Sequence, residues 1–537
     1  IFIADFFANH ILGGGELNND ELIKILRNKG YNILEVQSHK VNNKFLIDNK
    51  QCFFIISNFI NLSMECRTSL RSMNYIIYEH DHKYLANRNP ATYKNFKAPD
   101  HQLVNYRFYK NAKAILCQSE FHKEILYKNL NIDNIINLGG NLWSLECLEN
   151  IRHFLNNVNK KAKYSILNSK IPHKNTSKTI QYCKNKNLEY ELVASNHYYE
   201  FLKMLAANEK FIFLPKTPET LSRVVVEARM LGCSVITNNL VGATSEKWFS
   251  LKGNDLIDYM ISKRDEILSV IENIMNTPEE SDERPLVSII TTFAEADKFI
   301  NNFMDNITKQ TMFDKCELII VDANSSGNEQ KIIQQYSSKH KNIKYIRLHN
   351  KQLPTPCLNL AIKSSTANYL TFAFVDDVKR SDCIEILYKE ISKQKNISLV
   401  YGDVLQTKKE NDCFLDNHSD GTLMQHSTYE FSKQNMIKCL PGPMPLWNVE
   451  MHEKCGLFNY EMCNYADDWE MWLRAVNNEF EFKKVNKIVG LYLQGGRSQQ
   501  EKPDQRREEA KIFYKYSHLF GVNFQKFKPY FDQFMEN

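Results

Sequence analysis

Two adjacent carboxylates, Asp376 and Asp377, follow directly on an apolar run at residues 369–375. Paired acids at the exit of a buried strand suit a divalent cation and the phosphate groups that such a cation binds. An ordinary turn after a strand would also contain two aspartates without binding a ligand, because aspartate is common where strands end. The function of the pair therefore depends on the elements around it.

Three short apolar runs in the C-terminal half each end in polar residues. They lie at residues 286–293, 317–327 and 369–375, with helix-like segments between them. Strands that alternate with helices form an open parallel sheet, whose ligands lie beyond the carboxyl ends of the strands. The acid pair is therefore predicted to lie at a ligand-binding edge of a sheet.

These residues resemble the family 2 glycosyltransferases, nucleotide-sugar enzymes with the GT-A fold. The family's first strand ends near a Thr-Tyr-Asn turn, and the resemblance implies that the matching residues bind the nucleotide sugar: Thr292, Phe293 and Glu295. It implies that Asp322, after the second strand, contacts the nucleotide base. In the family's Asp-x-Asp metal motif the first acid is replaced here by Phe374. This leaves Asp376 and Asp377 to hold Mn²⁺ or Mg²⁺, with Asp376 also at the donor.

A second acid pair, Asp467 and Asp468, lies where a helix is predicted to begin. Helix capping and the helix dipole favour acids there without any chemistry. By the family resemblance, Asp468 is the catalytic base. Trp447 is a candidate platform for the acceptor sugar, with a buried core position as the alternative. Arg497 lies where the family frequently places a metal- or diphosphate-binding histidine, so it is a candidate phosphate ligand.

The N-terminal half carries a glycine-rich turn, including Gly14 and Gly15, between a strand and a helix. Such a turn lets backbone N–H groups approach a phosphate, although it also serves as a plain flexible connection. A later cluster, residues 79–82 (EHDH), ends another predicted strand. Because successive strand residues point in alternating directions, a shared zinc ion is disfavoured. We expect this loop, through His80, to contact the acceptor.

Two glutamates flank the start of a later helix, with Glu219 before it and Glu227 inside it. With Lys174 in the PHKN segment, they resemble the family 4 glycosyltransferases of the GT-B fold. The resemblance implies that Glu219 is the catalytic residue beside the donor sugar, that Glu227 contacts the ribose and that Lys174 binds the diphosphate. Arg223 stands near the sugar, where the family has a small or apolar residue. A plain amphipathic helix accounts for Glu227 alone.

The acid-rich run at residues 277–285, with a proline near each end, predicts a linker between two modules. We predict an α/β protein with a GT-B-like module at 1–283 and a GT-A domain at 284–537. The first module is expected to contain Rossmann-like units at about 1–150 and 160–276.

Composition restricts the partners and the compartment. The net charge of +5 is spread over 68 basic and 63 acidic groups without a basic stripe, which argues against nucleic-acid binding. Thirteen cysteines without a C-x-x-C pair indicate reduced thiols. Apolar runs fall far short of the roughly 20 residues that span a bilayer. We expect a cytoplasmic enzyme, with attachment to the inner face of a membrane as an open alternative.

Together these features predict a bifunctional glycosyltransferase with UDP- or dTDP-sugar donors and a glycan or glycolipid acceptor. The C-terminal module is expected to be metal-dependent and inverting, and the N-terminal module metal-independent and retaining. In the alternative, only the C-terminal module is catalytic and the N-terminal half binds glycan or acts as a scaffold. A nucleotidyltransferase in the C-terminal half would instead release pyrophosphate.

Overall fold

The structure, a computed structural model, describes residues 1–11, 13–277, 284–394, 396–463, 465–495 and 503–535. The chain divides into two units. The first unit comprises Ile1–Ala98 and Asn105–Ser281, and the second comprises Pro99–Val104 and Asp282–Asn537.

The first unit begins with a parallel sheet in the order β2-β1-β3-β4-β5-β6. Its strands are β1 Phe2–Ala4, β2 Glu35–Gln37, β3 Phe54–Ile56, β4 Tyr75–Tyr78, β5 Ile115–Cys117 and β6 Ile135–Asn137. The accompanying helices are α1 Gly14–Asn28, α2 Asn43–Asp48, α3 Met64–Leu70, α4 Tyr106–Lys110, α5 Glu120–Leu130 and α6 Leu145–Asn157. Strands β1, β3, β4 and β5 are buried at every position, as continuous apolar runs in a parallel sheet should be.

A second parallel sheet in the same unit has the order β10-β9-β7-β8. Its strands are β7 Lys161–Leu167, β8 Tyr190–Val193, β9 Asn208–Phe213 and β10 Ser234–Thr237. The helices of this part are α7 Thr176–Asn185, α8 Tyr198–Ala206, α9 Arg223–Met230 and α10 Asn254–Met275. The α/β class and the parallel pairing agree with the sequence prediction, which missed strand β2 in this unit.

Helix α10 belongs to the cores of both sheets of the first unit. Its first turns, including Leu256 and Met260, pack in the core of the second sheet. Its last turns, including Ile267 and Ile271, pack in the core of the first sheet. A helix of 22 residues spans about 33 Å, which is long enough to serve two cores. The helix therefore fixes the two sheets to each other.

The second unit is built on a mixed sheet in the order β13-β12-β11-β14-β17-β16-β18-β15. Its strands are β11 Val287–Phe293, β12 Cys316–Asp322, β13 Ile343–Arg347, β14 Tyr369–Phe372, β15 Val378–Lys379, β16 Ile397–Thr407, β17 Leu446–Asn448 and β18 Glu481–Leu493. Its helices are α11 Ile300–Thr308, α12 Glu329–Ser337, α13 Pro354–Ser364, α14 Cys383–Ile391, α15 Glu450–Cys455, α16 Asp467–Asn477, α17 Pro503–Lys515 and α18 Val522–Asp532. Strands β11 to β14 are parallel, and β17 is antiparallel to both of its neighbours.

Strand register places the polar strand ends of the second unit on one edge. Phe293 at the end of β11 pairs with Asp322 at the end of β12. Strand β14 runs parallel to β11 on its other side and ends at Phe372, shortly before the acid pair. The three predicted strands therefore deliver their following residues to the same edge, as expected for a parallel sheet.

A short segment far upstream in the chain, Pro99–Val104, is part of the second unit. Asp100 accepts hydrogen bonds from Lys363 Nζ at 2.6 Å and Asn359 Nδ2 at 3.2 Å, both on α13. The carbonyl of His101 accepts from Arg474 Nη1 on α16 at 3.3 Å. The segment thus contacts two helices of that unit.

Within the described residues, no helix is both long enough and apolar enough to cross a bilayer.

Candidate functional site

The two acids at the start of α16 have different partners. Asp467 Oδ2 accepts a hydrogen bond from Thr355 Oγ1 on α13 at 2.6 Å. Asp468 Oδ1 accepts from the backbone N–H of Trp469 at 2.7 Å, and Asp468 Oδ2 accepts from Cys439 Sγ at 3.5 Å. The first acid thus connects two helices. The second accepts from one backbone N–H group and from a thiol, which is a weak donor.

The electrostatic environment makes Asp468 suited to proton transfer near neutral pH. Burial, and next the charge of Asp467, raise the pKa of Asp468 to about 7. The Trp469 N–H and the Cys439 thiol oppose this shift by stabilising the ionised form. A carboxylate with this pKa can accept a proton from a hydroxyl group in a transition state at physiological pH.

The acid pair after β14 also divides into an accessible and a buried member. Asp376 is half-buried, whereas Asp377 is only 7% exposed and accepts from the backbone N–H of Leu493 at 3.2 Å. Burial raises the pKa of Asp376. Burial and then the charge of Asp376 raise the pKa of Asp377 well above its usual range. Of the two, Asp376 has the freer access to a ligand.

The residues of this pair fit a hard divalent cation. In the described part of the chain, neither Asp376 nor Asp377 forms an ion pair with a lysine or arginine within 4.0 Å. No group of three or more metal-ligating side chains occurs among the described residues. Mg²⁺ usually retains water and is held by one or two carboxylates together with substrate phosphates. Two carboxylates at a strand exit meet that requirement.

An aromatic cluster connects the strand that precedes one acid pair with the helix that carries the other. Phe372, at the end of β14, lies 6.2 Å from Trp472 of α16 between ring centroids. Trp447 of β17 packs against both rings, at 4.6 Å and 5.3 Å. Asp376 comes four residues after Phe372, and Asp468 four residues before Trp472. The cluster therefore packs the strand before one acid pair against the helix that carries the other.

The prediction that Trp447 forms a sugar platform is wrong. Trp447 is 0% exposed, and its indole N–H donates to His452 Nε2 at 3.1 Å. Because the side chain is fully buried beside Phe372 and Trp472, no sugar can stack on the ring. This is the core position that the sequence left open as the alternative.

The strand ends at β11 and β12 depart in part from the expected nucleotide contacts. Asp322 is 0% exposed; its Oδ1 accepts from the Ser325 N–H at 2.8 Å and its Oδ2 from the Tyr345 hydroxyl at 2.5 Å. Asp322 therefore organises the loop after β12 and presents no surface to a base. Phe293 is likewise buried in the core, while Thr292 is half-buried.

Glu295 is exposed on the loop after β11, at a positive φ of 59°. It pairs with Lys351 Nζ at 2.9 Å and accepts from the Ser326 hydroxyl at 2.7 Å. These hydrogen bonds, Lys351 first, lower the pKa of Glu295 to about 2. Glu295 is thus a fixed anion at the sheet edge. Arg497 lies outside the described residues.

The first unit contains a cavity of about 1100 Å³ that brings together its predicted site residues. They are Gly14, Gly15, His80, Lys174, Glu219, Arg223 and Glu227. A Cβ added at Gly14 would lie 3.2 Å from Arg223 Cδ, and one added at Gly15 would lie 3.5 Å from His80 Cγ. The glycines thus allow these two side chains to lie against the turn at the start of α1.

Both cations of this cavity are paired with carboxylates. Lys174 Nζ lies 2.9 Å from each carboxylate oxygen of Glu219. Arg223 Nε lies 3.5 Å from Glu227 Oε1, and the guanidinium stacks over Trp143 at 4.3 Å. Glu227 also accepts from the Trp143 indole N–H at 3.0 Å. A bound diphosphate would therefore compete with carboxylates for both cations.

His80 is held as a neutral ring on the cavity wall. Its Nε2 lies 2.8 Å from Asn19 Oδ1, and its Nδ1 contacts the Gln118 amide nitrogen. Burial, and then the charges of Lys83 and Arg223, lower the pKa of His80 to about 3. His80 can donate or accept hydrogen bonds, but it carries no charge at neutral pH.

Buried histidines should make the first unit sensitive to mild acid. Burial lowers the pKa of His82 to about 4 and that of His122 well below 6.5, as for His80. Below pH 6.5 the unfolded chain binds protons at these histidines and the folded chain does not. The free energy of unfolding therefore decreases as the pH is lowered. Each histidine should cost roughly 2 kcal/mol by pH 5. Calorimetric unfolding at pH 7 and pH 5 measures this, and His122→Gln should reduce the difference. Equal stability at both pH values would contradict it.

Comparisons with known proteins identify the class of the second unit. Residues 288–455 match the family described as glycosyl transferase family 2. An uncharacterized glycosyltransferase of Methanocaldococcus jannaschii is 20% identical over 211 residues, covering 39% of this chain and 71% of that protein. The chondroitin synthase of Escherichia coli is 22% identical over 247 residues, covering 46% of this chain and 34% of that protein. This region is a glycosyltransferase domain.

Solved structures give a weaker likeness. A crystal structure of S. aureus TarS matches with a TM-score of 0.36 and 15% identity over 45% of this chain and 70% of that one. The mannosyltransferase PcManGT from Pyrobaculum calidifontis, in complex with GDP-Man and Mn²⁺, matches with a TM-score of 0.33 and 14% identity over 46% of this chain and 68% of that one. At these values the solved structures say nothing about function, which is inferred below from the site residues and the family match.

Two residues at the site were missed by sequence reasoning. Thr355 and Cys439 contact the acids of α16 from segments 112 and 29 residues away in the chain. Thr355 belongs to no motif. Cys439 begins the segment 439–462, which resembles the acceptor side of family 2, but that resemblance does not mark the cysteine itself.

Proposed function

We propose that the second unit transfers a sugar from a nucleotide-sugar donor to a hydroxyl group of a glycan or glycolipid, with inversion at the anomeric carbon. The observation that carries this proposal is Asp468, an acid with a pKa of about 7 at the start of α16. Its environment suits a general base, and it lies in the unit that contains the family 2 match.

In this mechanism Asp468 accepts the proton of the acceptor hydroxyl as its oxygen bonds to the anomeric carbon. The bond between that carbon and the diphosphate breaks on the opposite side, which inverts the configuration. Asp376 and Asp377 would hold Mn²⁺ or Mg²⁺ beside the diphosphate. When bound, the cation neutralises the negative charge that grows on the leaving group. A UDP- or dTDP-sugar is the proposed donor.

The test is nucleoside-diphosphate release across a panel of nucleotide sugars, with and without Mn²⁺. Metal-dependent release that requires Asp468 supports the proposal. Release of pyrophosphate would instead identify a nucleotidyltransferase.

For the first unit we propose a second nucleotide-sugar site, metal-independent and retaining, in the cavity of about 1100 Å³. Lys174 and Arg223 would exchange their carboxylate partners for the diphosphate, beside the N-terminus of α9. Glu219 would face the donor sugar. In the alternative, this cavity binds glycan without catalysis, and Glu219→Ala would then lower glycan affinity while no reaction is lost.

Lys174→Ala should weaken UDP binding to the first unit by about tenfold or more, since it removes a charged partner of the phosphates. Calorimetric titration of UDP into the full chain with EDTA present isolates metal-independent binding. Lys178→Ala is the matched control, because Lys178 is an exposed lysine in the first turn of α7, four residues after Lys174. Equal affinities for both variants and the unchanged protein would contradict the nucleotide assignment.

A further inference from the structure

The segment that contacts the proposed base is itself anchored to the helix that carries the base. Trp469, the residue after Asp468, donates its indole N–H to the carbonyl of Met436 at 2.8 Å. Met436 and Leu440 are fully buried. Cys439 lies between these two anchors, and its thiol reaches Asp468 Oδ2 at 3.5 Å. Its distance from the carboxylate is therefore fixed by the core.

The chemistry of Cys439 makes it a donor to the carboxylate. Burial, and then the charge of Asp468, raise the pKa of the Cys439 thiol well above its usual range. The sulfur therefore keeps its proton at neutral pH and can donate it in a hydrogen bond. Because the other oxygen of Asp468 accepts from the Trp469 N–H, the two donors together fix the plane of the carboxylate.

We propose that Cys439 is a positioning residue that orients Asp468 for removal of the acceptor proton. The proposal rests on the proposed role of Asp468 as the base of the second unit. A thiol that donates to one carboxylate oxygen restricts rotation of the side chain and stabilises its ionised form. The neighbouring acid accepts from Thr355 instead, so Cys439 and the Trp469 N–H are the donors that orient Asp468.

The test compares Cys439→Ala and Cys439→Ser in the full chain by the pH dependence of kcat. Loss of the donor in Cys439→Ala should lower kcat about fivefold and move the acid limb about half a pH unit upward. Serine supplies a stronger donor in the same place, so Cys439→Ser should retain activity, with the acid limb unchanged or moved downward. Cys413→Ala, at an exposed cysteine of the same unit, should match the unchanged protein.

An acid limb in Cys439→Ala that superimposes on that of the unchanged protein would overturn the inference, as would equal losses in the alanine and serine variants. Circular dichroism and the unfolding temperature establish that both variants fold. Failure of the proposed function is seen separately, because Asp468→Asn would then retain activity. An inactive Asp468→Asn with an unaltered Cys439→Ala profile would overturn only the role of Cys439.

Discussion

Replacing Asp468 with asparagine should lower kcat of metal-dependent transfer by about 100- to 10,000-fold, the usual contribution of a general base. Asparagine keeps the shape of the side chain but cannot accept a proton. The KM for the donor should change little, because Asp468 is assigned to the acceptor hydroxyl. In the unchanged protein, activity should fall below pH 7 as Asp468 becomes protonated. Initial rates of nucleoside-diphosphate release at pH 5.5 to 9 measure both effects.

Asp467→Asn is the matched control for this prediction, since it changes the adjacent acid. Asp467 is bonded to Thr355 and raises the pKa of Asp468 by its charge. Removing that charge should keep most of the activity and move the acid limb to lower pH. Equal losses in both variants would indicate that the pair only caps the helix. Full activity in Asp468→Asn would exclude it as the base.

Replacing Asp376 with asparagine should abolish metal-dependent transfer, a loss of about 1,000-fold or more, because a bound cation contributes several kcal/mol to the transition state. Asp376 is the more accessible acid of its pair. Asp377→Asn should also remove metal-dependent transfer, and both variants should leave metal-independent UDP binding by the first unit unchanged. Initial rates with and without Mn²⁺ measure the first effect.

Metal binding itself can be measured without turnover. Electron paramagnetic resonance of free Mn²⁺, titrated with protein and UDP, should show weaker Mn²⁺ binding in Asp376→Asn. Asp382→Asn is the control, because Asp382 lies six residues further along and is paired with Arg380 at 2.6 Å. Unchanged Mn²⁺ affinity in Asp376→Asn would show that the metal is held elsewhere.

Local patterns were sufficient for much of the fold. The apolar runs that predicted β11, β12 and β14 form adjacent parallel strands, because each run is long enough and bounded by polar residues. Strand β15 has two residues and pairs with β18 more than 100 residues later in the chain. Such a pairing forms only when distant parts of the chain come together in the folded unit, and no local sequence pattern indicates it. Strand β2 has one exposed and two partly buried residues, so it lacks the apolar run that marks a buried strand.

The site was less predictable than the fold, because burial decides which motif residues remain available. Trp447 and Asp322 both occupy positions that a sequence comparison assigns to ligands, yet both are 0% exposed. Asp467 and Asp468 are adjacent residues of the same type, and the structure gives them different partners, Thr355 for Asp467 and Cys439 for Asp468. Those contacts come from distant segments. The residue types and the choice of Asp468 as the base could therefore be predicted, but the partners that hold the two acids could not.

The segment Pro99–Val104 has a consequence for how this gene could be recombined. A single crossover near residue 283 would transfer the C-terminal stretch to another protein without Asp100, the partner of Lys363 and Asn359. Gly456 also packs against this segment. It has a φ of +80°, and a Cβ at this position would lie 2.0 Å from the carbonyl oxygen of His101. The two halves should therefore be inherited together, and a transplanted C-terminal half should need its own replacement for residues 99–104.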